Sequence, residues 1–214
     1  MKIGIYGGTF NPIHLGHLRT AEEIRQRFAL REIIFVPSAR PPHKQSPEIV
    51  DGSHRLKMAA LAVTGNPCFS VSDLEVRRGG KSYSLDTLRE LKKLHPESNL
   101  AFICGRDAFL EIHTWHKYRE LFAAADFIVT SRPGSKPRAL SQTIPPAARR
   151  EFRRQKKTAA LVHVSGKTVT FTEVTGLDIS STLIRRFIRE GLSPRYLIPR
   201  RVGEYIIENR LYQK

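Results

Sequence analysis

Two histidines three residues apart, His14 and His17, follow an apolar strand-like run and a glycine pair, and together they make a phosphate site in one short piece of chain. The stretch reads Ile3-Gly4-Ile5-Tyr6-Gly7-Gly8-Thr9-Phe10-Asn11-Pro12-Ile13-His14-Leu15-Gly16-His17. Gly7 and Gly8 let the backbone turn sharply and bring its N–H groups near a ligand, and Pro12 stiffens the approach. His14 and His17 open an amphipathic segment running to Phe28, so their spacing puts both imidazoles on one face of a helix's first turn. A helix start carries unpaired N–H groups and the positive end of the macrodipole, and two imidazoles add donors that strengthen as phosphate charge develops. A histidine standing alone is usually a surface residue; this run, after a strand and before a helix, points to phosphate chemistry.

A second hydroxyl-rich helix start, Ile179-Ser180-Ser181-Thr182-Leu183-Ile184-Arg185, lies near the other end of the chain. Ser-Ser-Thr before an apolar periodic stretch is more often a plain cap. Paired with His14 and His17 it reads as a triphosphate cradle, with Arg185 one turn in and presenting a rigid guanidinium fork. Lys44 follows Pro41-Pro42-His43 on a stiff loop, where charge alone weighs phosphate contact and solvation equally. Trp115, the single tryptophan, is flanked by His113, His116 and Lys117, and its flat ring could stack on a pyridinium as readily as pack in a core. Tyr83 and Ser84 stand at a predicted helix start, whose N–H groups suit a carboxylate. His54 and Arg55 are weaker phosphate candidates, since a helix predicted over 51–63 could hold them on its polar face for solubility only.

The elements that position these residues alternate. Strands are predicted at 3–6, 33–36, 69–74, 100–104 and 127–130, with one or two more within 161–174. Helices are predicted at 17–28, 51–63, 85–94, 181–190 and 201–209. A β–α–β rhythm of this kind gives a doubly wound parallel sheet with helices on both faces, an α/β fold. Such sheets bind ligands beyond the carboxyl ends of their strands, where Gly7-Gly8, Gly105 and Arg132-Pro133-Gly134 would emerge.

With 214 residues, 40% of them hydrophobic, and no Gly/Ser-rich linker, the chain reads as one domain over 1–214, its C-terminal helices from about 180 completing the phosphate site. No signal core or bilayer-length apolar run occurs, so a cytoplasmic protein with no membrane partner is expected. Cys68 and Cys104 lack metal-ligand spacing and are read as free thiols. The net charge of +16 suits any polyanion. Its densest cluster, Arg149, Arg150, Arg153, Arg154, Lys156 and Lys157, carries no nucleic-acid recognition motif, so no specific nucleic-acid partner is expected.

The His14-Leu15-Gly16-His17 element resembles the H-x-G-H signature of the nucleotidyltransferase superfamily that also includes class I aminoacyl-tRNA synthetases. Downstream come Pro41-Pro42-His43-Lys44, Ser82-Tyr83-Ser84-Leu85-Asp86-Thr87-Leu88, Gly105-Arg106-Asp107 with Trp115, Arg132-Pro133-Gly134 and the 179–185 element. In that order, and with the closing Leu197-Ile198-Pro199 and Leu211-Tyr212, the chain is similar to the bacterial nicotinate mononucleotide adenylyltransferase family over nearly its whole length. Residues 135–160 carry no matching motif.

The resemblance implies a Rossmann-like fold and adenylyl transfer from ATP to nicotinate mononucleotide, giving deamido-NAD and pyrophosphate. It implies catalytic roles for His14, His17, Lys44 and Arg185. ATP would be bound by Gly7, Gly8, Thr9, Phe10, Asp107, Ser180, Ser181 and Thr182, with Ser181, Thr182 and Arg185 at the β- and γ-phosphates. Tyr83, Ser84 and Trp115 would bind nicotinate mononucleotide. Mg²⁺ would arrive on ATP, held by phosphate oxygens and water rather than by a protein cage. Asn11 stands where the family commonly has Asp, and Ser84 where it commonly has Thr. The shared motifs also admit a sister enzyme acting on the amide mononucleotide, phosphopantetheine or glycerol phosphate. The charge admits a non-catalytic nucleic-acid binder, against which both histidines and Arg185 count. A homo-oligomer is allowed.

Overall fold

Period-two alternation builds the sheet of the computed structural model, which describes residues 1–40, 48–131, 143–155 and 160–213. The strands are β1 (Lys2–Gly8), β2 (Glu32–Pro37), β3 (Phe69–Val71), β4 (Asn99–Gly105), β5 (Asp126–Ser131), β6 (Phe152–Arg154), β7 (Leu161–His163) and β8 (Thr168–Glu173). Along β2, Ile33 and Phe35 face one core while Ile34 and Val36 face the other; along β4, Ala101 and Ile103 alternate in the same way with Phe102 and Cys104. Both faces are therefore apolar, as a sheet covered on both sides requires.

The helices are α1 (Leu15–Arg27), α2 (Gly52–Val63), α3 (Leu74–Arg78), α4 (Ser84–Leu94), α5 (Arg106–Leu110), α6 (Tyr118–Ala124), α7 (Ser181–Arg189) and α8 (Arg200–Glu208). One face of the sheet is covered from α1, α2, α7 and α8 by Ile24, Met58, Ile184 and Ile206. The other is covered from α4, α5 and α6 by Leu88, Phe109 and Phe122. Each of these large side chains, fully buried, contributes about 1.5–3 kcal/mol.

The strand order is β3-β2-β1-β4-β5-β8-β7-β6. The pairs from β3 through to β8 are parallel. The order reverses at β1, where chain direction sends β2 to one side and β4 to the other, and a crevice opens above the two strand ends. The far edge departs from the predicted all-parallel sheet. A hairpin turn at Val164–Lys167 folds β7 antiparallel against β8, and β6 adds antiparallel to β7. The strand predicted at 69–74 ends at Val71, because Leu74 already opens α3.

Candidate active site

Gly8 acts by smallness rather than by turning. Gly7 and Gly8 are the last residues of β1, and a Cβ on Gly8 would lie 2.8 Å from the Phe10 ring. The turn itself is made by Phe10 in the left-handed region, at φ 49°, followed by a cis Asn11-Pro12 peptide. Phe10 is 3% exposed, and its ring is a floor, edge-on to His17 with centroids 5.1 Å apart, so that only its backbone is left to meet a ligand.

His14 caps α1 and His17 sits in its first turn, and the two rings stack with centroids 3.7 Å apart. The His14 backbone N–H donates to His17 Nδ1 at 3.2 Å, so a neutral His17 carries its proton on Nε2 and presents a donor there. Gly16 makes room for the stack, since a Cβ there would meet His14 Nδ1 at 3.0 Å.

The second element packs against the first. Ser180 accepts from the Leu183 N–H at 3.1 Å as the cap of α7, and the Ser181 hydroxyl donates to the Pro12 carbonyl at 2.8 Å. These two hydroxyls brace the loops, and what the helix start offers a phosphate is its backbone N–H groups. Both elements line one cleft of about 550 Å³, together with Gly105, Asp107 and Thr182.

Arg185 does not line that cleft. Its Nη2 pairs with Glu48 at 2.8 Å and its Nη1 donates to the Asn11 carbonyl at 3.0 Å, while Arg189 pairs with the other Glu48 oxygen at 2.6 Å. The two guanidinium groups hold the Glu48 carboxyl below the usual carboxylate range. Lys44 lies outside the described residues, as do Pro41-Pro42-His43 and Arg132-Pro133-Gly134.

A second cleft of about 400 Å³ opens on the other side of β1 and β4 and shares Tyr6 and Gly105 with the first. Gly7, Gly8, Thr9, Phe102, Ser84 and Trp115 line it. Trp115 is half-buried, edge-on to Phe102 at 5.9 Å. Ser84 opens α4, but Tyr83 is not among the lining residues and its ring lies on His116 at 4.4 Å. Gly7, Gly8 and Thr9 thus face the Trp115 cleft rather than the cleft lined by the histidines.

Three groups escaped sequence reasoning. Arg55, expected in solvent, is 1% exposed and donates to the carbonyls of Val50, Thr9 and Ala39 at 2.8–2.9 Å. Its signal was present, for Arg55, Met58, Ala59 and Val63 share the buried stripe of α2. Asn11 is buried and bonded three ways, donating to Glu48 O and accepting from the Val50 N–H and the Tyr212 hydroxyl. The donated bond needs an amide, which gives Asn at this position a local reason. Glu75, on α3, is a buried acid in the wall of the smaller cleft, and burial raises its pKa.

Fold and site together define a nucleotide-binding protein of the nucleotidyltransferase class. The family model described as cytidylyltransferase-like matches residues 5–187. Relatives named "probable nicotinate-nucleotide adenylyltransferase" from Geobacter metallireducens and Geotalea uraniireducens are each 47% identical over 212 residues, covering 99% of this chain and 98% of theirs. The nicotinic acid mononucleotide adenylyltransferase of Plasmodium falciparum, solved in complex with NaAD, has the same fold at a TM-score of 0.74 and 22% identity, over 99% of this chain and 97% of that one. The chain belongs to the nicotinate-nucleotide adenylyltransferase family within the cytidylyltransferase-like group. No helix among the described residues is long and apolar enough to cross a membrane.

Proposed function

We propose that this chain transfers the adenylyl group of ATP to the phosphate of nicotinate mononucleotide, forming deamido-NAD and releasing pyrophosphate. The observation that carries the reading is the pair of clefts meeting at Tyr6 and Gly105, one built around paired histidines and helix starts, the other around Trp115. The relatives' names support the same acceptor.

A phosphate monoester is already an anionic nucleophile at neutral pH, so the site needs no general base and works by alignment and charge stabilisation. The mononucleotide sits in the Trp115 cleft with its phosphate toward Tyr6 and Gly105. ATP lies across the His14 and His17 rings with its α-phosphorus facing that phosphate. His17 Nε2–H donates to the phosphate oxygens on which charge grows as the bond to pyrophosphate breaks, and the starts of α1 and α7 hold the leaving group. Arg185 joins them on leaving Glu48, and Lys44 adds a positive charge.

Apart from the single carboxylate of Asp107, the cleft offers imidazoles, hydroxyls and N–H groups, which suit phosphate oxygens better than direct ligation of a hard cation. Mg²⁺ brought in on the triphosphate would neutralise part of the leaving group's charge. A cytoplasmic location goes with this reading.

Pyrophosphate release from Mg-ATP tests it, with nicotinate mononucleotide, the amide mononucleotide and phosphopantetheine supplied separately. Preferential release with the acid mononucleotide is expected. Preferential release with another acceptor would move the substrate assignment, and none with any acceptor would refute the activity.

A further inference from the structure

Resting on the reading that the paired histidines take the phosphates of ATP, we infer that Tyr212 is a positioning residue for them: its hydroxyl fixes the Asn11 turn from which His14 and His17 are presented.

Asn11 links the turn after β1 to α7, and its own bonds settle which way its amide points. Nδ2 donates to the Glu48 carbonyl at 2.9 Å, so Oδ1 is left to accept from the Val50 N–H at 3.2 Å and from the Tyr212 hydroxyl at 2.9 Å. The Tyr212 bond is the shorter of the two. The backbone is tied in as well: the Asn11 carbonyl accepts from Arg185 Nη1 at 3.0 Å, and the neighbouring Pro12 carbonyl from the Ser181 hydroxyl at 2.8 Å. A shift of the Asn11 side chain is thereby passed to α7 and, two residues past Pro12, to His14 at the start of α1.

Backbone strain surrounds this bond. Phe10, Arg210 and Tyr212 are all left-handed, at φ 49°, 51° and 64°. Residues other than glycine seldom adopt that conformation, and it persists where the surrounding structure over-determines it. One of the three stands just before Asn11 and two stand in the segment that follows α8. Between those two, Leu211 is buried in the core and its N–H donates to the Ile206 carbonyl at 2.9 Å, which anchors the segment up to the residue before Tyr212. Burial raises the Tyr212 pKa above its ordinary value, so the phenol keeps its proton and stays a donor. Tyr212 is not among the residues lining either cleft, so it reaches a substrate only through Asn11.

The test compares Tyr212→Phe, which keeps the ring and its packing, with wild type. It measures Mg-ATP affinity by titration calorimetry without acceptor, kcat, and KM for nicotinate mononucleotide, with unfolding midpoints alongside. Loss of the one hydrogen bond is expected to weaken Mg-ATP binding about fivefold and to lower kcat about tenfold. KM for the mononucleotide is expected to stay within about twofold, because the Trp115 cleft lies on the other side of β1 and β4. Tyr205→Phe removes a hydroxyl that α8 offers His54 at 2.9 Å and is expected to leave all three quantities unchanged. In an Asn11→Leu background, which lacks the acceptor, Tyr212→Phe is expected to add no further loss. Wild-type kcat and Mg-ATP affinity in Tyr212→Phe overturn the inference, and so does an equal loss in Tyr205→Phe or an undiminished effect in the Asn11→Leu background. A wild type that binds Mg-ATP but turns over no mononucleotide would instead refute the adenylyl-transfer reading, and the Mg-ATP affinities would still decide the role of Tyr212.

Discussion

The imidazoles of His14 and His17 lie in a stack whose planes are 26° apart, although His14 caps α1 and His17 is within it. The stack is set by backbone: the His14 N–H holds His17 Nδ1, and Tyr6 and Phe10 meet the His17 ring edge-on from below. A donor fixed on three sides loses little entropy when a phosphate arrives, which is the condition for stabilising charge that appears only in the transition state.

His17→Ala is therefore expected to lower kcat by about 10²–10³-fold, while the circular dichroism spectrum and the unfolding midpoint stay close to wild type. Normal turnover in this variant would remove His17 from the chemistry.

Gly16→Ala separates geometry from stability. The added methyl sits 3.0 Å from His14 Nδ1, so the ring must yield by a few tenths of an ångström. Alanine in a helix turn gains up to about 1 kcal/mol over glycine. A protein at least as stable as wild type but about tenfold slower is expected from paired unfolding and kinetic measurements.

In the proposed mechanism Glu48 competes with the nucleotide for Arg185. Glu48→Gln, which keeps the backbone carbonyl that Asn11 uses, is expected to lower KM for ATP by about two- to fivefold, as release of an exposed ion pair permits. The Glu48 pKa is lowered, so the pair is lost only when pH falls through that depressed value and is intact throughout a neutral assay. An unchanged or higher KM would show that Arg185 does not serve the triphosphate.

Arg55→Met keeps most of the side-chain volume but deserts three carbonyls that bind the loops after β1 and β2 to α2. Urea unfolding is expected to show a loss of about 3 kcal/mol.

Glu75 leaves a mark on stability. Its folded-state pKa lies above the ordinary 4.5, so the native chain binds more protons than the unfolded one between the two values. Stability associated with the neutral group is present below 4.5 and is lost as pH rises through the raised value. Unfolding midpoints of Glu75→Gln relative to wild type are expected to climb with pH across that window.

The doubly wound core was legible because its signals are local. Alternation in Ile33-Ile34-Phe35-Val36, the Asp51 cap, which accepts from the Ser53 N–H at 2.8 Å, and leucines at 85, 88 and 91 each settle an element within a few residues. The histidine pair and the 180–182 cap were legible for the same reason. What was hidden is long-range. Tyr212 reaches Asn11 across 201 residues, and Arg185 meets Glu48 across 137, so no spacing rule finds either. The packing of the Tyr83 ring on His116 and of the Phe10 ring beneath His17 is likewise set by partners distant from any local spacing signal.

The most direct test of the whole account is mass-resolved product analysis with Mg-ATP and equal amounts of the acid and amide mononucleotides in one vessel. The account predicts deamido-NAD as the major dinucleotide, formed one for one with pyrophosphate. Release of orthophosphate without a dinucleotide, or NAD as the dominant product, would contradict it.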